Sequence, residues 1–468
     1  MSVSDQRNIF FSTLRRILWR HVMSHQDGYK TILFREINMK NLKKIITAAF
    51  TLTCVFVQSF AINQIDGNYA SYGLSAEYDG YYAISNYDDL EAFSSLVNGG
   101  EYAANAVLVA DIIINENLFL DNGEFNESLD AQQLNTVTPI GRNTQLHGDL
   151  SLSFNGVFDG AGHTIQGLYA NAPNKTANMF GLLGADAIVK NIIFTDVYLY
   201  CSYSGIIYDS YGNIESVVLQ NGVVKGTYCG AICESNHGSI YRSVNNATVI
   251  SNSIAGGICG SSEGTIKQCA NYASIQTTSR SGSQTGGIAG YIWDGTIQDC
   301  FNTGFIQGFY SVGGILGRQS GSSTISSCYN IGDVKGYSEV GGVIGVIYED
   351  ENLVTSKCYY VNNCLAKGIE GSDVENSATP LPLSDFYSSS LPVGFNSSVW
   401  EVGSTIEDAE YESIGTKLRR KVVGKCLHLK NVPTLNENVY ETYYDFGIDG
   451  NEDWQLFILY LYKQMVES

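Results

Sequence analysis

The sequence predicts an all-β protein: a right-handed parallel β-helix, or solenoid, of about seven coils, with an N-terminal helix-containing cap and an irregular C-terminal region. Three observations carry this. A short motif of small and apolar residues recurs at nearly constant spacing through the middle of the chain. All six prolines (Pro139, Pro173, Pro380, Pro382, Pro392, Pro433) lie outside the 206 residues from Asn174 to Thr379, as a continuous hydrogen-bonded ladder requires, because proline cannot donate to one. The 10–15-residue helical periodicity of a bundle is not seen there.

The repeat reads Ser204-Gly205-Ile206-Ile207, Gly230-Ala231-Ile232-Cys233 and Gly256-Gly257-Ile258-Cys259, then Gly286-Gly287-Ile288-Ala289, Gly313-Gly314-Ile315-Leu316 and Gly341-Gly342-Val343-Ile344. Phe180-Gly181-Leu182-Leu183 is taken as its first member. A second column, Ile214, Ile240, Ile266, Ile297 and Ile325, follows short Gly- or Ser-containing turns, and a third holds Val224, Val249, Ile275, Ile306 and Val334. Three short strands per coil of about 27 residues describe a triangular β-helix. A single coil cannot offset its ordering entropy by its own burial, so coils must stack and their ends need caps.

The N-terminal cap is placed at residues 62–170. Ser85-Asn86-Tyr87-Asp88 resembles a capping box, Leu90, Phe93 and Val97 share one helical face, and Asn98-Gly99-Gly100 ends the helix. A strand over Ala106–Ile114 and the segment Phe154–Ile165 follow. The repeats occupy 171–370, and the non-repetitive, proline-containing C-terminal region 371–468.

Ahead of the cap, Met39-Lys40-Asn41-Leu42-Lys43-Lys44 and the apolar run Ile45–Val57 read as a signal peptide over 39–61, with Ser59-Phe60-Ala61 as the cleavage site. Residues 1–38 then precede the true start, or form a cytoplasmic extension. The apolar run is short for a membrane span, and none is expected in the mature chain. Removal of residues 1–61 takes nine Lys/Arg and three Asp/Glu, leaving 18 basic and 44 acidic residues and a net charge of −26. Such a surface repels nucleic acid and anionic lipid.

These residues resemble the GLUG-motif repeat proteins of bacterial surfaces, a repeat also found beside IgA-protease-type polypeptides. The pattern G-G-I-x-G, then I-x-x-C-x-N-x-G-x-I-x-G, is met closely at Gly286–Gly308 and Gly313–Gly336 and more loosely at Gly256–Gln276. Residues 80–436 share the resemblance, including Pro139-Ile140-Gly141 and the ending Trp400…Val432-Pro433-Thr434-Leu435. It implies an exported surface or adhesin-like protein, with a glycan or host surface protein as partner.

Motifs of chemistry are sparse. The six histidines form no His-Glu-x-x-His pair, and neither a Gly-x-Ser-x-Gly elbow nor a phosphate loop is found, so no enzyme, metal or cofactor is expected. Asp159-Gly160-Ala161-Gly162-His163 is read as a tight turn rather than a catalytic cluster. Asp449–Asp453 lacks the glycine and glutamate of a calcium loop and is read as an acidic turn. Cys269, Cys300, Cys328 and Cys358 share a column with Val217 and Val244, which assigns them as buried, reduced hydrophobes. Asn246, Asn271, Asn302 and Asn330 read as an amide ladder. If those cysteines point inward, Phe301, Tyr329 and Tyr359 point outward and form an aromatic file on which sugars could stack. Three functions remain open: a non-catalytic glycan or host-surface binder, a β-helix carbohydrate-active enzyme, and a structural stalk. Carboxylates clustered in one groove would favour the enzyme, exposed aromatics the binder, and bare faces the stalk.

Overall fold

The computed structural model describes residues 62–445 other than 121–122, 143–149, 348–353, 363–366, 370–377, 405–407, 415–416, 424 and 433–439; for 408–414, 417–423 and 440–445 it describes the backbone. The segments Met39–Ala61 and Asp449–Asp453 lie outside the described residues. Among the described residues no helix is long and apolar enough to cross a membrane.

The chain winds into a parallel β-solenoid. The isoleucine column is a real ladder: Ile214, Ile240, Ile266, Ile297 and Ile325 pair in register from coil to coil. So is the next, through Val224, Val249, Ile275, Ile306 and Val334. The isoleucine ladder extends beyond the repeats in both directions. It runs back through Val189, Phe158 and Ala106 to Tyr82 and forward to Thr355, so that ten strands stack rather than the seven coils expected. The first coils were hidden because one long connection interrupts them: 48 residues separate Leu108 from Val157, so no fixed period survives there. The span predicted as the strand Ala106–Ile114 is two strands, Ala106–Leu108 and Ile112–Ile113, each in a different ladder.

The strands merge into two large sheets, of 18 and 17 members. Coils turn at a recurring left-handed residue just before the cysteine column. Asn191, Ser216, Arg242, Gln268, Asp299, Ser327 and Lys357 all have φ between 52° and 55°. Glycine, the usual marker of such a conformation, occupies none of these positions, which is why the corner left no trace in the sequence.

Glycine serves another purpose in the Gly-Gly-Ile motif. A Cβ on the second glycine would lie 2.5 Å from Asn271 Cγ at Gly257, 2.6 Å from Asn302 Cγ at Gly287 and 2.3 Å from Asn330 Cγ at Gly314. The second glycine of each pair thus makes room for both the next coil's backbone, whose glycine carbonyl would lie 2.1–2.2 Å from such a Cβ, and an asparagine ladder, while the first lets the chain fold back on the carbonyl three residues on. That ladder is continuous: each Nδ2 donates to the next Oδ1, Asn245 to Asn271 at 2.8 Å and onward to Asn302 and Asn330 at 2.7 Å. Its first member is Asn245, not Asn246, whose side chain donates instead to the Gln220 carbonyl. The same one-residue slip affects the cysteine column, where Ser243 rather than Val244 precedes Cys269, because Val244 pairs with Ala270. Ser243 fits by chemistry: its hydroxyl donates to the Tyr241 carbonyl, two residues back, as the Cys269, Cys300 and Cys328 thiols do to Lys267, Gln298 and Ser326. Phe180 pairs with Ile207, so Phe180–Leu183 belongs three residues downstream of the Gly-Gly column it was aligned with.

The cap helix α1 spans Tyr87–Asn98 and buries Leu90, Phe93 and Val97. Its cap is Asn86, which accepts from the Asp89 backbone at 3.0 Å while Asp89 accepts from Ser85 N at 3.0 Å. The box is thus built one residue later than expected, with Asp in the role usual for Glu.

A concave corner groove as the candidate functional site

The described cysteines Cys269, Cys300, Cys328 and Cys358 are buried and free, as expected. Their outward neighbours do form a file, with Phe301 and Tyr329 stacked at 5.0 Å and 5°. The file is not an open surface. Phe301, Tyr329 and Tyr359 are 1%, 0% and 8% exposed. The C-terminal region lies over them: Trp400 packs 5.6 Å from Tyr329, Phe386 5.3 Å from Tyr329, and Phe395 5.5 Å from Tyr359. Polar contacts pin this cover. Trp400 Nε1 donates to Asp299 Oδ1 at 3.2 Å, Tyr359 to the Val393 carbonyl at 2.8 Å and Tyr329 to the Leu427 carbonyl. Alternation set the direction of these side chains correctly, but a later segment that shares no repeat with them buries them, so the file offers no open face for a sugar.

The Asp159 turn is structural too. Ala161 and Gly162 adopt positive φ, and the buried Asp159 carboxylate accepts from Tyr78 Oη at 2.9 Å, Ala161 N at 2.8 Å and Asn191 Nδ2 at 3.1 Å. Lys190 completes the set at 3.2 Å. The turn fastens the N-terminal segment onto the solenoid side.

A partly exposed polar corner runs along the second sheet, with half-buried walls and a buried floor. One wall is the register column Tyr203, Tyr228, Ile254 and Gln284. The other is Asp209, Ser235, Ser261, Tyr291 and Arg318. Between them lies a floor: Tyr208, Glu234, Gly260, Gly290 and Gly317 each stand one position before the second wall. The chain bends so sharply here that a Cβ at Gly290 would lie 2.6 Å from Ile254 Cγ2 and one at Gly317 2.6 Å from Thr285 N. At its C-terminal end the corner opens into a cavity of about 370 Å³ lined by Arg280, Ser283, Gln284, Tyr310, Arg318 and Glu339.

At the other end, aromatic and acidic groups converge. Tyr203 stacks on Tyr228 at 5.1 Å and 13°, and meets Tyr208 edge-on at 5.7 Å across the corner. His237 stacks on Tyr211 at 4.4 Å and lies between two carboxylates, 3.4 Å from Asp209 and 3.1 Å from Glu263. Glu234 is 5% exposed, and no hydrogen bond to its carboxyl exists among the described residues. Burial, and after it the charge of Asp209, pushes Glu234 up to about 8. Linear motifs could not reveal this site, because Asp209, Glu234, His237 and Glu263 come from three consecutive coils. Among the described residues no group of His, Cys, Asp and Glu side chains is arranged to hold a metal ion.

No family model and no curated protein matches the chain. Among solved structures, one described as "a putative immunoglobulin A1 protease from Bacteroides ovatus" is similar at 19% identity, covering 69% of this chain and 89% of its own, with a TM-score of 0.43.

Proposed function

We propose that the protein is an exported, surface-displayed GLUG-type repeat protein that holds glycans along this corner groove. The observation that carries the reading is the stacked Tyr203–Tyr228 wall facing Asp209 and Glu234. Tyrosine edges offer apolar contact to sugar C–H faces, and carboxyl groups serve sugar hydroxyls. The groove's length, several coils, suits a polymer better than a compact small molecule. The acidic chain, with a net charge of −20, disfavours nucleic acid as the occupant.

Binding of the full chain to a glycan array tests this. Tyr203→Ala with Tyr228→Ala is expected to abolish binding to the glycans that the wild type captures, whereas Trp293→Ala, at an exposed position outside the groove columns, leaves it intact. Equal binding by the tyrosine variant overturns the reading. Export is tested by N-terminal sequencing of secreted protein: a start near Ile62 supports it, and one at Ser2 overturns it.

A further inference from the structure

Glu234 is a buried carboxyl on the floor of the corner groove, 5% exposed and without a hydrogen bond to its carboxyl among the described residues. Burying a carboxyl costs stability unless something compensates it, so a folded protein rarely keeps such a group without use. Its surroundings divide the two neighbouring carboxyls by role. Asp209, one coil back and on the adjoining wall, has His237 at 3.4 Å, and His237 is itself held at 3.1 Å by Glu263 and stacked on Tyr211. Glu234 has no cation beside it among the described residues, and the next floor position is Gly260, so no side chain of the following coil covers it from the floor.

We propose that Glu234 and Asp209 are the proton donor and proton acceptor of a glycan-hydrolysing centre set in this groove. The proposal rests on the glycan-binding reading of the same site. Glu234 passes its proton to the bridging oxygen as the bond from that oxygen to the anomeric carbon breaks. Asp209 takes a proton from a water whose oxygen bonds to that carbon. One water is consumed, two shorter chains leave, and the proton returns from Asp209 to Glu234 through solvent. No oxidant, metal or cofactor enters the balance. An acid held protonated beside a second carboxyl is an arrangement such chemistry uses; burial and the charge of Asp209 raise Glu234 to about 8, which keeps it protonated at neutral pH. The substrate class is a neutral glycan. Asp209 and Glu263 would repel uronates.

The test incubates the full chain with those neutral polysaccharides that it binds on the array, and follows new reducing ends. The wild type is expected to release them, with a rate that falls as pH rises through about 8. Glu234→Gln and Asp209→Asn are each expected to lower the rate at saturating glycan by about 100-fold or more, with folding confirmed by an unchanged circular-dichroism spectrum. Bound glycan that is never cleaved overturns the catalytic proposal and leaves the binding reading standing. So does cleavage that persists in Glu234→Gln, or products with unsaturated rather than reducing ends. Failure to bind any glycan overturns both.

Discussion

At the scale of single residues, the solenoid interior tolerates groups by size and hydrogen-bonding reach rather than by name. The cysteine column also holds Ile192, Val217 and Ser243. Burial pushes the Cys269 and Cys328 thiols well above their ordinary range, and the neighbouring Cys300 acts in the same direction. Cys328→Val is expected to change stability by less than about 1.5 kcal/mol, whereas Cys328→Asp places an unpaired carboxylate in the core and costs several kcal/mol. Urea unfolding checks both, and thiol titration in denaturant without reductant should find all four column cysteines reduced. Glu234 makes the opposite kind of statement. Its folded value, about 8, lies above the ordinary 4.5. The folded state therefore holds the proton more tightly, and stability is full below the unfolded value and declines as pH rises from there through about 8. Melting temperature should fall across that window in the wild type and fall less in Glu234→Gln. Identical pH profiles would show that Glu234 is not protonated in the fold.

At the scale of elements, the instructive contrast is between the repeat columns and the C-terminal cover. Strand columns obey local rules: inward residues recur because each coil repeats the previous one, and alternation sends Phe301, Tyr329 and Tyr359 outward. What happens next is decided by Trp400, Phe395 and the short helix α2, Leu383–Phe386, which have no periodicity to announce their destination. Trp400 is 1% exposed and touches Phe301, Tyr329 and Phe395. Trp400→Ala is expected to cost about 3–5 kcal/mol and to increase binding of a hydrophobic dye as the aromatic file opens. Wild-type stability in that variant would mean that the cover is not docked. Burial also pushes Asp299 up, while its bond from Trp400 acts against this, so the same variant removes a partner from a partly buried carboxyl.

At the scale of the whole molecule, a stacked solenoid has approximately one-dimensional energetics: each coil is stabilised by its two neighbours and the ends need closure. The N-terminal end is closed by α1 over Phe154 and Phe158, with ring centroids 6.1 and 5.8 Å from Phe93. The Asp159 cluster holds the segment before it in place. Asp159→Ala removes the acceptor for Tyr78, Ala161 and Asn191 and the partner of Lys190. A loss of about 2–3 kcal/mol follows from hydrogen bonds to a charged group. Hydrogen exchange should rise in the first coils, near Val157–Asp159 and Ile188–Thr195, while the coils beyond Thr296 keep their protection. Uniform loss of protection would instead show that the solenoid unfolds as one block.

The sequence by itself determined the solenoid, the inward columns, the reduced cysteines and the asparagine ladder, because each is a local pattern copied from coil to coil and the copies can be compared. Even there the comparison slipped by a residue at Ser243 and Asn245, where Val244-Asn245-Asn246 offers two equally plausible alignments. Tertiary structure decided the rest. It revealed coils set apart by one long connection that breaks the period, and corners formed by left-handed residues that are not glycine. It placed a distant cover over the aromatic file, and it gathered Asp209, Glu234, His237 and Glu263 into one groove. These depend on stacking, which brings side chains about 26 residues apart to within one strand spacing of about 4.8 Å, and on chain segments that share no repeat with the surface they bury.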